Sequence, residues 1–172
     1  MNENFRPGAV APPLSFDTVG GVRWSLHETR PATLDLIAVY RGFFCPYCKD
    51  FISKLASRLP AFAERGIAVT AVSMDDKDRA ARASKEWSLG ALPVGYGISA
   101  ETARQWNVFL TTREQEGRKV TFCEPAVFFV TPSKHIFAIM LQSIPCGRPD
   151  LGNLLDGIDY LGKQGYPIRG AA

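Results

Sequence analysis

Two cysteines three positions apart, Cys45 and Cys48 in Phe44-Cys45-Pro46-Tyr47-Cys48, lie between an apolar run and an amphipathic one. That placement narrows the folds open to the chain. Before the pair, Leu34–Tyr40 (LDLIAVY) is short, apolar and partly β-branched, and is bounded by Pro31 and by Arg41-Gly42, which predicts a buried strand. After it, Phe51, Ile52, Leu55, Leu59 and Phe62 recur at helical spacing and predict a helix from about Pro46 to Ala63. Proline suits the first helical position, where its missing N–H costs nothing. Pro60 is expected to kink or shorten the last turn. The dithiol therefore falls where a strand hands over to a helix.

The remaining segments extend this alternation. Residues 1–13, with Pro7, Gly8, Pro12 and Pro13, read as an extended N-terminal arm, and Leu14 to Leu26 reads as a short β-hairpin around Gly20-Gly21. Ile67–Ser73 is a second apolar strand, followed by a charged helix from about Asp76 to Trp87 with Asp75 as its cap. A short strand is expected at Val94–Ile98, then a helix capped by Ser99 and running to Trp106. Thr111 to Lys119, polar and carrying Gly117, reads as an exposed loop. Val120–Val130 is a strand interrupted by Pro125, Ile136–Leu141 is the next strand, and a helix from about Pro149 to Leu161 closes the chain. Strands alternating with helices, then a hairpin and a last helix, imply an α/β fold with a mixed sheet sandwiched by helices and an N-terminal β-hairpin extension. With 172 residues and no repeat, the chain is expected to form a single domain over 1–172.

Composition bounds the function. A net charge of +3 spread without a basic run implies neither nucleic acid nor an anionic membrane as partner. The segment MNENFRPGAVAPP carries no signal-like apolar stretch, and no run approaches a membrane span, so a cytoplasmic location is expected. Four cysteines are too few for a disulfide-built scaffold, and in a reducing compartment a paired C-x-x-C points to catalysis or metal binding.

Dithiol exchange needs two sulfurs close enough to bond, one of them activated. At a helix start the first sulfur, Cys45, meets unpaired N–H groups and the positive end of the helix dipole, which favour its thiolate. The second, Cys48, one turn inward, is placed to resolve a mixed disulfide. Two other readings stay open at this point. One is a buried cysteine pair without chemistry. The other is a zinc site completed from Cys123, Cys146, His27 and His135; none of these forms a second close pair, so no metal is assigned. Cys123 reads as an inert strand cysteine and Cys146 as a plain free thiol, with a third redox role open for either.

These residues resemble the thioredoxin superfamily. From Pro13 to Leu161 the chain is similar to its peroxiredoxin-like branch, the alkyl hydroperoxide reductase and thiol-specific antioxidant family. The likeness rests on Pro13-Leu14, Trp24-Ser25-Leu26, Val39-Tyr40-Arg41-Gly42, Ser73-Met74-Asp75, Phe128-Phe129-Val130 and Arg148 in order around the cysteine pair. It implies a thioredoxin-like fold and a cis proline at Pro125, opposite the active site, with Glu124, Phe44 and Tyr47 beside the substrate. The departures are specific. Typical peroxiredoxins carry a P-x-x-x-T-x-x-C loop and a distant arginine; here Arg41, Cys45 and Pro125 stand in those places. Thioredoxins bury an aspartate in the strand before the first cysteine, and here Val39 occupies it. Asp35 lies further back, so the base for Cys48 is unidentified, with Glu124 a weak candidate. The resemblance thus implies a thiol–disulfide oxidoreductase on a peroxiredoxin-like body, with a thiol-dependent peroxidase or a non-catalytic redox sensor as alternatives. Its partners would be a disulfide-bearing protein or a small thiol or disulfide of thioredoxin or glutathione type, a hydroperoxide in the peroxidase case, and a second copy in a homodimer. No cofactor is implied.

Overall fold

The computed structural model describes residues 4–115 and 117–171. Strand β3 (Leu34–Val39) is buried along its whole length. It pairs in parallel with β4 (Ile67–Val72) and antiparallel with β8 (Ala126–Val130). With β5 (Val94–Gly95) beyond β4 and β9 (Ile136–Leu141) beyond β8, the order across the sheet is β5-β4-β3-β8-β9. A strand at the centre of such a sheet faces protein on both sides, which is why LDLIAVY is apolar without alternation.

The two faces feed two cores. Leu36, Ala38 and Tyr40 of the central strand, with Val127 and Phe129 of β8, face helices α1 (Pro46–Ser57), α2 (Leu59–Glu64), α3 (Lys77–Glu86) and α5 (Leu151–Lys163). Ile37 and Val39, with Ala126, Phe128 and Val130, face α4 (Ala100–Gln105), the arm and the hairpin of β1 (Ser15–Asp17) and β2 (Arg23–Ser25). The arm is tied down by Phe5, whose ring sits 5.6 Å from both Trp106 and Phe128. Its backbone also bonds to the first residue of β9, through Gly8 N–H to the Ile136 carbonyl and Ile136 N–H to the Ala9 carbonyl.

Pro60 does more than shorten a turn. It opens α2 as a separate short helix after the break at Arg58, because a proline ring tolerates the first turn of a helix and not its interior. Arg65 at the end of α2 then holds Asp159 of α5 through two contacts of 2.7 and 2.6 Å, the paired geometry that a guanidinium and a carboxylate favour.

Two element readings are corrected. The cap of α3 is Asp76, which accepts from Arg79 N–H at 2.8 Å, while Asp75 turns inward to other partners. Thr111 to Lys119 is not a loop. It belongs to an antiparallel hairpin, β6 (Leu110–Gln115) with β7 (Arg118–Cys123), that turns at Gly117. Much of this hairpin faces solvent and Thr112 pairs with Thr121 across it, so it carries no apolar alternation for a sequence reading to detect. Among the described residues no helix is long and apolar enough to cross a membrane.

The face of α1 that buries Phe51, Ile52 and Leu55 fixes where its first turn sits. Leu55 is fully buried, so Leu55→Ala leaves a cavity. It is expected to cost about 2–5 kcal/mol, read as a lower urea midpoint at unchanged m-value.

Candidate active site

Cys45 is the N-cap of α1, and its sulfur accepts the Cys48 backbone N–H at 3.4 Å. A helix start leaves several N–H groups without partners, and here a sulfur takes the place usually held by a Ser or Asp oxygen. The Cys48 thiol is also a hydrogen-bond partner of Cys45, and this is the leading cause that holds the Cys45 thiol well below its usual value. The backbone N–H of Cys48 and the Arg41 guanidinium, whose Nη1 lies 3.8 Å from the sulfur, act in the same direction against the cost of burial. Cys48 goes the other way. Its thiol is raised, first by the hydrogen bond to Cys45 and then by burial, although Arg41 N–H and Arg148 Nη2 both reach its sulfur at 3.3 Å. The pair is therefore poised as one thiolate and one thiol. Both residues are free and buried.

Arg41 is held from several directions. Its Nε forms an ion pair with Glu124 Oε2 at 3.1 Å, though the N–H is not aimed along that contact and neither atom has a linear hydrogen bond. The guanidinium lies 4.7 Å from the Phe122 ring centre and 5.5 Å from that of Phe44, within cation–π range. Glu124 is further fixed by Thr111, whose hydroxyl donates to Oε1 at 2.7 Å. These contacts occupy Glu124 with Arg41 and the hairpin.

Asp75 braces the approach to Cys45. It accepts Phe43 N–H at 2.7 Å and Arg79 Nε at 2.9 Å, and burial raises its carboxyl pKa. Gly42 passes beside it at φ +137°, where an added Cβ would come 2.8 Å from Oδ1. Only glycine satisfies both the backbone angle and the space. Tyr40 is wholly buried beside Ser73, and burial raises its phenol.

The other residues singled out from sequence fall as follows. Phe44 is half-buried, and Tyr47 is exposed on the first turn of α1. Pro125 is buried between β7 and β8, its carbonyl accepting Gln142 N–H at 3.0 Å. Among the described residues no peptide bond is cis, so the cis reading of Pro125 is corrected to trans. The chain stays extended there: Glu124 N–H bonds back to Phe109 while Ala126 already pairs with Val39. Cys123 is buried and its thiol is pushed up to about 12, chiefly by burial. Cys146 is exposed. Asp35 bonds to Thr29 and Lys134. Among the described residues no group of three or more metal-ligating side chains comes together.

Arg41, Arg148 and Asp75 are the members of the site that a sequence reading undervalues. Arg41, at the end of the apolar strand and four positions before Cys45, is the one local signal in the sequence for a cation beside the thiol. Arg148 arrives from 100 residues away, which no local pattern encodes. A larger surface concavity of about 540 Å³ is lined by residues between Glu101 and Leu110 and includes no cysteine.

A dithiol at the carboxyl end of a central strand, capping a helix in a five-stranded mixed sheet, defines a redox protein of the thioredoxin-fold class. The chain belongs to the AhpC/TSA family, whose match spans residues 7–139. Among solved structures it is similar to the peroxidoxin BcpB of Mycobacterium tuberculosis, with 13% identity over 91% of this chain and 98% of that one, at a TM-score of 0.73. It is similar also to a mutant of peroxiredoxin 6 from Arenicola marina, with 17% identity over 92% and 74% of the two chains and a TM-score of 0.76. A copper-bound ScoI of Arabidopsis thaliana shares the fold at 18% identity, covering 91% and 99%, with a TM-score of 0.66. No curated protein matches.

The charge asymmetry has a direct readout. Alkylation of Cys45 with iodoacetamide, followed across a pH series, is expected to rise to its plateau with a midpoint below the value of about 8.5 for free cysteine, since only the thiolate reacts. Arg41→Met is expected to move the midpoint up by about one unit by removing the neighbouring cation. Cys48→Ala, which removes the leading cause, is expected to move it further.

Proposed function

We propose that the chain is a thiol–disulfide oxidoreductase in which Cys45 attacks and Cys48 resolves. The observation that carries this reading is the division of labour within the pair, with Cys45 the sulfur held low and Cys48 the sulfur held high. In the first step the Cys45 thiolate attacks one sulfur of a disulfide R–S–S–R′. It forms Cys45–S–S–R and expels R′S⁻, which takes a proton from solvent. Cys48 then loses its proton and attacks the Cys45 sulfur, closing the Cys45–Cys48 disulfide and releasing RS⁻. The substrate gains two electrons and the protein loses two. A small thiol reductant of glutathione type restores the dithiol by the reverse exchange. Phe44, Tyr47, Glu124 and Pro125 are assigned to the walls of the substrate site, Glu124 acting through Arg41. The chain is read as one domain and as cytoplasmic, with a homodimer a further proposal.

A second reading is favoured by the burial of Cys45 and by the cations at both sulfurs. A hydroperoxide ROOH is slim enough to reach a covered thiolate. Attack on the outer oxygen breaks the O–O bond and leaves Cys45 as sulfenic acid with ROH released, once a proton has been taken up. Cys48 then condenses with it to the same disulfide, releasing water.

The readings separate in one experiment. Hydroxyethyl disulfide reduction and hydroperoxide consumption are measured in parallel with dithiothreitol as reductant, for wild type, Cys45→Ser and Cys48→Ser. Cys45→Ser is expected to lower disulfide reduction by about 10³-fold or more. With the reductant left out, Cys48→Ser is expected to trap one equivalent of mixed disulfide at position 45. Loss of the first step only in Cys48→Ser overturns the assignment of the attacking sulfur, and peroxide turnover without disulfide reduction transfers the function to the second reading.

A further inference from the structure

The β6–β7 hairpin reaches across to the cysteine site by side chains that dithiol exchange does not require. Phe122 packs edge-on against Phe44, with ring centres 5.0 Å apart. Arg113, on the opposite strand of the hairpin, lays its guanidinium 4.2 Å from the Phe44 centre and 5.6 Å from that of Phe122. Arg41 lies against the same two rings from the cysteine side, 4.7 Å from Phe122, and extends Nη1 to within 3.8 Å of Cys45. Two rings and two guanidinium groups thus form one stack, joining the hairpin to the cation that touches the nucleophile. Thr111 and Glu124, at the base of the same hairpin, fix Arg41 at Nε. Cys45 is left only 2% exposed.

What remains open beside the stack is narrow. A groove of about 270 Å³ runs between β7 and the start of α3, bounded by Arg41, Phe44, Asp75, Arg79 and Phe122; Cys45 is not among its walls, but its neighbours Arg41 and Phe44 are. Sites for drug-sized ligands measure about 300–1,000 Å³, so this one falls below that range. A folded polypeptide bearing a disulfide presents bulk on both sides of its S–S bond, and a slender electrophile does not.

We propose that Phe122 and Arg113 of the hairpin are specificity-determining residues, a lid that restricts Cys45 to slender, low-molecular-weight substrates and excludes disulfides of folded proteins. The substrate class rests on the dithiol reading above. The lid itself is a property of access to Cys45 and is testable without turnover. Within the stack Phe122 is buried and Phe44 half-buried, while Arg113 lies exposed on the outside. Removing Arg113 therefore loosens the lid without opening a cavity in the fold.

The test uses the full chain carrying Cys146→Ser, which removes the exposed thiol. Cys45 is labelled with two reagents of identical chemistry, methyl methanethiosulfonate and a methanethiosulfonate bearing a bulky dye. Each transfers its RS group to the thiolate and releases sulfinate. In the folded protein the bulky-to-small rate ratio is expected to be at least tenfold lower than for the same chain in urea. Arg113→Ser and Phe122→Ala are each expected to raise that ratio about fivefold. If Phe122→Ala does not fold, Arg113→Ser and the wild-type ratio decide. A folded ratio within twofold of the unfolded one overturns the lid, as does a ratio that neither substitution moves. Turnover supplies the substrate arm. Wild type is expected to reduce hydroxyethyl disulfide with a kcat/KM at least tenfold above that for insulin, and equal values overturn the proposed class. If neither disulfide is turned over, the dithiol reading fails while the labelling ratio still judges the lid.

Discussion

A negative sulfur buried at the mouth of a helix is the constraint around which this chain is arranged. An isolated ion in that position is costly, and the fold compensates by surrounding it with donors: the Cys48 backbone N–H, the Cys48 thiol and the Arg41 guanidinium. Each depends on a different part of the structure. The backbone N–H follows from α1 starting at Pro46, the thiol from the one-turn spacing, and the cation from the end of the central strand. The helix is held against the sheet by its apolar face, so the chemistry of Cys45 is coupled to the packing of Ile52 and Leu55 in the main core.

The same geometry explains why two identical side chains behave differently. Cys48 also touches a cation, Arg148 at 3.3 Å. Yet charge on one sulfur opposes charge on the other at such close range, and the more deeply buried member of the pair keeps its proton. Two carboxylates in one site divide their protons for the same reason. Cys48, which falls on the last cysteine of the P-x-x-x-T-x-x-C loop, thus carries the resolving role in the reading proposed above.

The hairpin adds a layer that the central sheet does not require. It forms a sheet of its own, pairing with no strand of the five, and it meets the site through Phe122, Arg113 and Glu124. Because Glu124 and Phe122 both bear on Arg41, the hairpin holds the guanidinium that lies beside Cys45; in the proposed reading, the element that covers the nucleophile also positions the group that activates it. Access and activation are joined in one side chain.

Much of this protein was legible as pattern. The apolar run at Leu34–Val39, the helical spacing from Phe51 to Phe62 and the proline at Pro46 are local, and local sterics and periodicity placed the dithiol at a strand-to-helix junction without further help. Tertiary structure decided the rest. Strand β6 and the start of β7 are too polar to announce themselves as strand, the bond before Pro125 is trans, and Asp75 is drawn inward to Gly42 and Phe43 rather than left at the helix end. Above all, Arg148 reaches Cys48 from 100 positions along the chain, and Glu124 reaches Arg41, the cation beside Cys45, from 83. Residue spacing encodes which atoms a short segment brings together; which cation meets which sulfur across that distance is set only when the sheet closes and the two cores pack.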